Sequence, residues 1–297
     1  MHRIASSLTG LVLVALVSVA SASAEGQSLA KIKQTGQITL GYRESSIPFS
    51  YLGSDQKPVG FSLDLCAAVV DKIKTELNLS SLTVNLQAVN SSNRIPLIKN
   101  GTVNIECGGT SSSAARLQQV SFSVATFVSS PRWLVKTASG IKDVSELAGK
   151  TIVVTQGSNA VGFAQGIKAR GVDYNILQAK DHAESMLMLQ SGRAVAFMED
   201  DILLASLKSV QPNPKDYALL PETYELTPYG LMLPKDDSEL KAVVDGVLTS
   251  MMVSGEFTKL YAKWFESPIP PKGENLNFPM SEHLKERVAR PSDSIKF

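Results

Sequence analysis

Residues 90–116 read NSSNRIPLIKNGTVNIECGGTSSSAAR, a stretch that passes from capping residues through a helix to a strand and a glycine turn. Ser91, Ser92 and Asn93 offer side-chain acceptors to a short helix beginning near Ile95-Pro96, where a first-turn proline gives up only an N–H the helix does not use. Val103 to Cys107 then reads as a strand closing on Gly108-Gly109. Whether this helix-to-strand order recurs on either side decides the fold class. Upstream, Gln37 to Tyr42 alternates like a strand, Phe61, Leu65, Val69, Ile73 and Leu77 fall four apart on one helical face with Cys66 and Val70 beside them, and Leu82 to Val89 is strand-like again. Downstream come strands at Trp133 to Lys136, Thr151 to Thr155, Tyr174 to Leu177 and Ala194 to Met198, with helices from Ser158 to Ala169 and Ala183 to Gln190. This alternation predicts an α/β fold with largely parallel, buried sheets.

Two units share the pattern. The first runs to about Ser130, and the second starts near Pro131 and repeats the order of elements on new residues. Tyr229 to Leu233 reads as one further strand, followed by helices from Ser238 to about Val253 and from Gly255 to Phe265. The tail beyond Pro268-Ile-Pro-Pro271 reads as extended.

The amino terminus stands apart. MHRIASS gives a basic start, Leu8 to Val19 is an apolar run, and Ala22-Ser23-Ala24 has the small-residue form of a cleavage site. Residues 1–24 are therefore expected to be a signal peptide removed after Ala24, leaving a soluble, exported chain. The apolar run is shorter than the roughly 20 residues that span a bilayer, and the nearest cysteine is Cys66, so no lipid anchor is expected. Cleavage removes Arg3 and no acid, so 28 basic residues face 28 acidic ones. Near-zero charge argues against bulk attraction to nucleic acid or an anionic membrane. An exported chain permits a disulfide between Cys66 and Cys107; two buried free thiols are the alternative reading.

Motifs for chemistry are sparse. No G-x-S-x-G occurs, only His182 and His283 remain after export, and Asp181-His182 as sequence neighbours do not make a triad. Gly149-Lys150-Thr151 lacks the earlier glycine of a phosphate loop, because Val144 stands there. No Cys/His spacing suggests zinc. No cofactor and no metal are expected.

GYRESSIPFSY (41–51), VGFSLDL (59–65), the opening stretch, Phe122-Ser123, KTIVVTQGSN (150–159), AKDH (179–182), SGRAVAFMEDD (191–201) and KWFESPIPPKGENLNF (263–278) together resemble the periplasmic solute-binding proteins of amino-acid ABC transporters. The similarity is closest to their glutamate/aspartate-binding subfamily and spans nearly the whole chain after residue 24. It implies a two-lobe periplasmic binding protein-like fold of type II, with two hinge strands and a ligand cleft between the lobes. One lobe would hold residues 25–130 and 229–297, the other 131–228. The implied partners are L-glutamate or L-aspartate and the membrane permease of an ABC transporter, with no nucleic acid, for a monomer in the periplasm. An exported enzyme on the same scaffold, dehydratase-like, is the competing reading, as is a binding protein for another amino acid.

An acidic amino acid offers two carboxylates and an ammonium, so its site needs two anion receptors and one cation receptor. Arginine suits a carboxylate because its planar fork donates two parallel hydrogen bonds. The resemblance implies that Arg116 clamps the α-carboxylate with Ser111 and the backbone at Gly109, where close relatives tend to carry a hydroxyl residue. Ser158 and Asn159 would approach from the second lobe, with Asn159 replacing a more usual threonine. Asp200 matches the aspartate that receives the ammonium, while its neighbour Asp201 reads as a helix cap. Arg43, Ser91, Arg94 and His182 match positions around the distal carboxylate. Taken alone, Arg43 is either a surface charge at a strand end or an anion receptor at a cleft mouth.

Overall fold

In the computed structural model, which describes residues 27–297, the alternating run QITLGY forms the strand Gln37–Tyr42, second from the edge of a five-stranded first sheet. It pairs in parallel with Thr83–Ala88 on one side and Ile105–Glu106 on the other. Parallel neighbours need a crossover, and the helices Phe61–Glu76 and Arg94–Lys99 supply it. The four-residue spacing seals the first helix to the sheet: Phe61, Leu65, Val69 and Ile73 are fully buried. Met232–Leu233 closes this sheet antiparallel to Ile105–Glu106 and to Ser121–Phe122. The proposed signal peptide and its cleavage site lie outside the described residues.

A second sheet repeats the plan. Thr151–Thr155 pairs in parallel with Asn175–Ala179 and with Ala196–Asp200, and the helices Ala160–Ala169 and His182–Gln190 make the crossovers. Pro131–Lys136 runs antiparallel to Ala196–Asp200 and carries Tyr217–Leu219 at its far edge. An antiparallel pair, Phe127–Ser129 with Thr227–Tyr229, carries the chain out of the first sheet and back to it. Around this pair Phe49 packs against Phe61, Phe127, Tyr229 and Phe265 at ring separations of 5.1 to 6.4 Å. In both sheets the first of the three parallel strands lies between the second and third, so loops leave their carboxyl ends on either side of a topological switch point, the place where open α/β sheets bind ligands.

Several local expectations change. The helix at Arg94–Lys99 is entered through Asn90, whose Oδ1 accepts from the N–H groups of Ser92 and Asn93, rather than through side-chain caps at Ser91 to Asn93. Asn90 turns the loop so that the Ser91 hydroxyl is left for other partners. The strand expected at Tyr229 to Leu233 is two strands, broken at Gly230-Leu231 where the chain passes from the connecting pair into the first sheet. Thr83–Ala88 is an exposed sheet edge, with Val84 and Leu86 open to solvent, so the first sheet is not buried throughout. The tail holds a small antiparallel pair, Pro268–Ile269 with Glu274–Asn275, and a helix, Glu282–Ala289, that buries Leu284 and Arg287. Its sequence is so polar that only the Ser281 cap, which accepts from the Leu284 N–H, announces it. Cys66 and Cys107 are joined in a disulfide, which ties the first crossover helix to the strand end that precedes Gly108-Gly109. Among the described residues no helix is long and apolar enough to cross a membrane, and no cluster of His, Cys, Asp or Glu could hold a metal ion.

Candidate ligand-binding site

Arg43 leaves the end of its strand and turns inward, 1% exposed, its backbone N–H donating to Ser50 Oγ at 2.8 Å. Its Nη2 donates to Ser91 Oγ at 3.0 Å and meets His182 Nε2 at 3.3 Å. A guanidinium can only donate, so Nε2 accepts and the imidazole proton sits on Nδ1. That atom lies 3.0 Å from Thr155 Oγ1, which is 2.8 Å from Ser185 Oγ, which donates to the Asp181 carbonyl at 3.0 Å. Burial first, then the charges of Arg43 and Arg94, push the His182 pKa well below its ordinary value, so the ring is neutral. The same burial, followed by repulsion from Arg94, lowers Arg43 to about 10, which still leaves it charged at neutral pH. Its Nη1 has no hydrogen-bond partner among the described residues.

Arg94, also buried, opens the helix Arg94–Lys99. It donates to Thr110 Oγ1 and lies 3.8 Å from Glu106 Oε1, while Thr110 donates to Glu106 Oε2 at 2.6 Å. Glu106 is wholly buried, so this bridge offsets part of the cost of burying Arg94.

Arg116 projects from the short helix Ala114–Leu117, whose first turn is capped by Ser113. Its Nη1 donates to both the carbonyl and the hydroxyl of Ser111 at 2.7 Å, and its Nη2 donates to the Gly157 carbonyl at 3.0 Å. One arginine therefore ties the loop after the first sheet to the loop after Thr151–Thr155. The loop after Thr151–Thr155 also presses on the turn at Ser91: Gly157 has φ near +76°, and a Cβ there would lie 2.5 Å from the Ser91 carbonyl oxygen. Gly157→Ala should thus hold the loops apart and weaken ligand binding by about tenfold or more, at roughly 1–2 kcal/mol for left-handed backbone plus the clash; calorimetry showing unchanged affinity would refute this. Gly109 is required for a different reason, since a Cβ would come within 2.9 Å of the Phe49 ring.

The acids lie at the end of Ala196–Asp200. Asp201 caps its own helix, accepting from the Ile202 N–H at 2.7 Å and from Ser129 Oγ at 2.6 Å. Asp200 instead accepts from the Tyr229 hydroxyl through Oδ2, and its Oδ1 is buried without a partner. Glu199 turns to the other side of the strand: Oε1 accepts from the Asp200 N–H at 3.2 Å and Oε2 lies 3.5 Å from His182 Nδ1. Burial raises the pKa of both, and the neighbouring Glu199 helps to push Asp200 up to about 8.

Buried arginines with buried carboxylates beside them at the ends of two sheets are what an ionic small solute requires, and the family model for bacterial extracellular solute-binding proteins, family 3, matches residues 38–267. The chain belongs to this family. It is similar to the L-glutamate/L-aspartate-binding protein of Pseudomonas aeruginosa, 48% identical over 98% of both chains. It is also similar to the glutamate/aspartate import solute-binding protein of Escherichia coli, 39% identical over 99% of this chain and 98% of that one. Among solved structures, an ancestral arginine-binding protein bound to glutamine superposes with a TM-score of 0.69 at 27% identity, covering 77% of this chain and 98% of that chain. A Streptococcus pneumoniae substrate-binding protein with bound histidine superposes with a TM-score of 0.72 at 21% identity, over 83% and 99%. These share the type II periplasmic binding protein fold.

In this family 3 solute-binding protein the residues singled out from sequence fall into two groups. Arg43, Ser91 and His182 are joined by hydrogen bonds, and Arg94 is near enough for its charge to act on Arg43. Arg116 and Ser111 form the second group, with Asp200 near enough for its charge to act on Arg116. The Ser158 hydroxyl is buried beside Glu199, whose pKa it acts to lower, and its N–H donates to the Thr155 carbonyl just before the helix, which begins at Ala160 rather than at Ser158. No hydrogen bond among the described residues joins the Asn159 side chain to the others; it lines a groove with Phe163, Gly166 and Arg170. Glu106, Thr110, Glu199 and Tyr229 belong to the site and were not singled out. An ionised side chain inside an apolar strand, as in IEC and AFMED, is the signal that marks two of them, because such residues are almost never fully buried unless paired.

Proposed function

We propose that this protein captures L-glutamate or L-aspartate between two lobes, residues 25–130 with 229–297 and residues 131–228, and delivers it to the membrane permease of an ABC transporter. The observation that carries this reading is the pair of buried guanidinium groups, Arg43 and Arg116, on separate loops, with Nη1 of Arg43 and Oδ1 of Asp200 buried without hydrogen-bond partners among the described residues. Arg116, Ser111, the Gly109 backbone, and Ser158 with Asn159 would hold the α-carboxylate. Asp200 would receive the ammonium. Arg43, Ser91, Arg94 and His182 would take the distal carboxylate, and a neutral side chain there would leave buried charge unpaired. The printed names of the relatives from Pseudomonas aeruginosa and Escherichia coli support the choice of ligand.

In this reading residues 1–24 direct export to the periplasm, the protein works as a monomer, and no chemical step follows binding. The imidazole of His182 is already engaged at both nitrogens, which supports a holding role over acid/base work. Purified, ligand-stripped protein titrated calorimetrically against the twenty amino acids should bind L-glutamate and L-aspartate far more tightly than the rest. Tight binding of a neutral or basic amino acid without a response to either acidic one would refute the ligand assignment. Mass spectrometry of the released ligand should return it unaltered.

A further inference from the structure

Tyr229 lies on the returning strand of the connecting pair, is 1% exposed, and carries the sole hydrogen bond made by the Asp200 side chain among the described residues. Its ring is fixed between Phe49 at 5.2 Å and Phe127 at 5.7 Å, in space that the missing Cβ of Gly109 leaves free. Its backbone is fixed too: Tyr229 bridges Ser111, its carbonyl accepts from the Thr126 N–H at 2.8 Å, and the Pro228 carbonyl accepts from the Ser112 N–H at 2.7 Å. The Tyr229 hydroxyl therefore relates Asp200, on the second sheet, to the Ser111–Arg116 anion receptor beside the first.

We propose that Tyr229 is a positioning residue for the ammonium receptor: its hydroxyl holds Oδ2 of Asp200 and presents the bare Oδ1 to the ligand ammonium. This rests on the reading of Asp200 given above. The charges that bear on the Asp200 carboxyl are Glu199 on its own strand, Asp201 on the following helix and Arg116 from the facing loop. Two of the three are acids. Burial and Glu199 favour the protonated form, and the hydrogen bond from Tyr229 opposes them. An ammonium needs the ionised form. Losing the Tyr229 hydroxyl therefore weakens binding most at low pH, where Asp200 is readily protonated, and least at high pH, where it ionises unaided.

The test is calorimetric titration of the full mature chain with L-glutamate between about pH 6 and about pH 8.5, in the wild type, Tyr229→Phe, Asp200→Asn and the double variant. Tyr229→Phe should lose roughly ten- to hundredfold in affinity near pH 7, as expected for a hydrogen bond to a charged group, and the loss should shrink as pH rises. In the Asp200→Asn background the same change should cost less than about twofold. A loss equal at every pH, or one as large without Asp200, would make Tyr229 a merely structural residue and overturn the proposal. If Asp200→Asn itself keeps wild-type affinity, the ammonium assignment fails; if it weakens binding and Tyr229→Phe does not, only the role of Tyr229 fails. Should Tyr229→Phe not fold, 3-fluorotyrosine at position 229 keeps the ring and strengthens the donor. It should move the pH profile downward, and an unmoved profile overturns the proposal.

Discussion

In the Arg116→Ala variant, binding of L-glutamate, L-aspartate and every other amino acid falls by roughly a hundred- to ten-thousandfold, the sum expected for two charge-assisted hydrogen bonds to a carboxylate. All amino acids share the α-carboxylate, so the loss does not depend on the side chain. The variant also frees the Gly157 carbonyl from its tie to Arg116, which removes the one arginine contact joining the two ligand loops. Arg116→Lys should recover little, because an ammonium lacks the planar fork that serves the Ser111 carbonyl, the Ser111 hydroxyl and the Gly157 carbonyl together. Calorimetry on protein whose ligand-free thermal unfolding matches the wild type is the check. Retention of L-glutamate affinity within about tenfold would place the α-carboxylate elsewhere.

Arg43→Ala should act on one class of ligand. Affinity for L-glutamate and L-aspartate drops by about a hundredfold or more, in line with the roughly 3–5 kcal/mol lost when a buried charge pair is broken. Affinity for L-glutamine changes little, so the preference for acidic over neutral ligands narrows. Equal losses for all three would mean that the two anion receptors have been assigned the wrong way round. A second readout separates this from general damage. The charge of Arg43 helps hold His182 below its ordinary pKa, so its removal moves the imidazole titration upward, which NMR of the ring nitrogens records.

The strand–helix alternation and the parallel strands were legible because each depends on local pattern, whereas the arginines stood out only through the blocks that resemble the family. The four-residue spacing from Phe61 to Ile73 needs no partner to be read, and Arg43 follows a strand that any alternation test finds. What escaped depends on contacts between distant segments. Glu106 and Thr110 support Arg94 from across a sheet, and nothing in Asn93-Arg94-Ile95 points to them. Tyr229 meets Asp200 only because the chain returns through the connecting pair. The cap at Asn90 was missed for a smaller reason: three adjacent capping residues followed it, and the loop uses the one before them. The final helix was hard to read by periodicity, since its apolar face is only Leu284 and Val288, with Arg287 buried beside them.

The neutral His182 limits what acid can do to the site. Wedged beside Arg43 and Arg94, the imidazole resists gaining a proton in mildly acidic surroundings. Asp200, pushed up to about 8, and Glu199, also raised by burial, are the carboxyls that respond. Under the assignment proposed above, acid would then act on the ligand ammonium through Asp200, while the ring beside Arg43 stays uncharged.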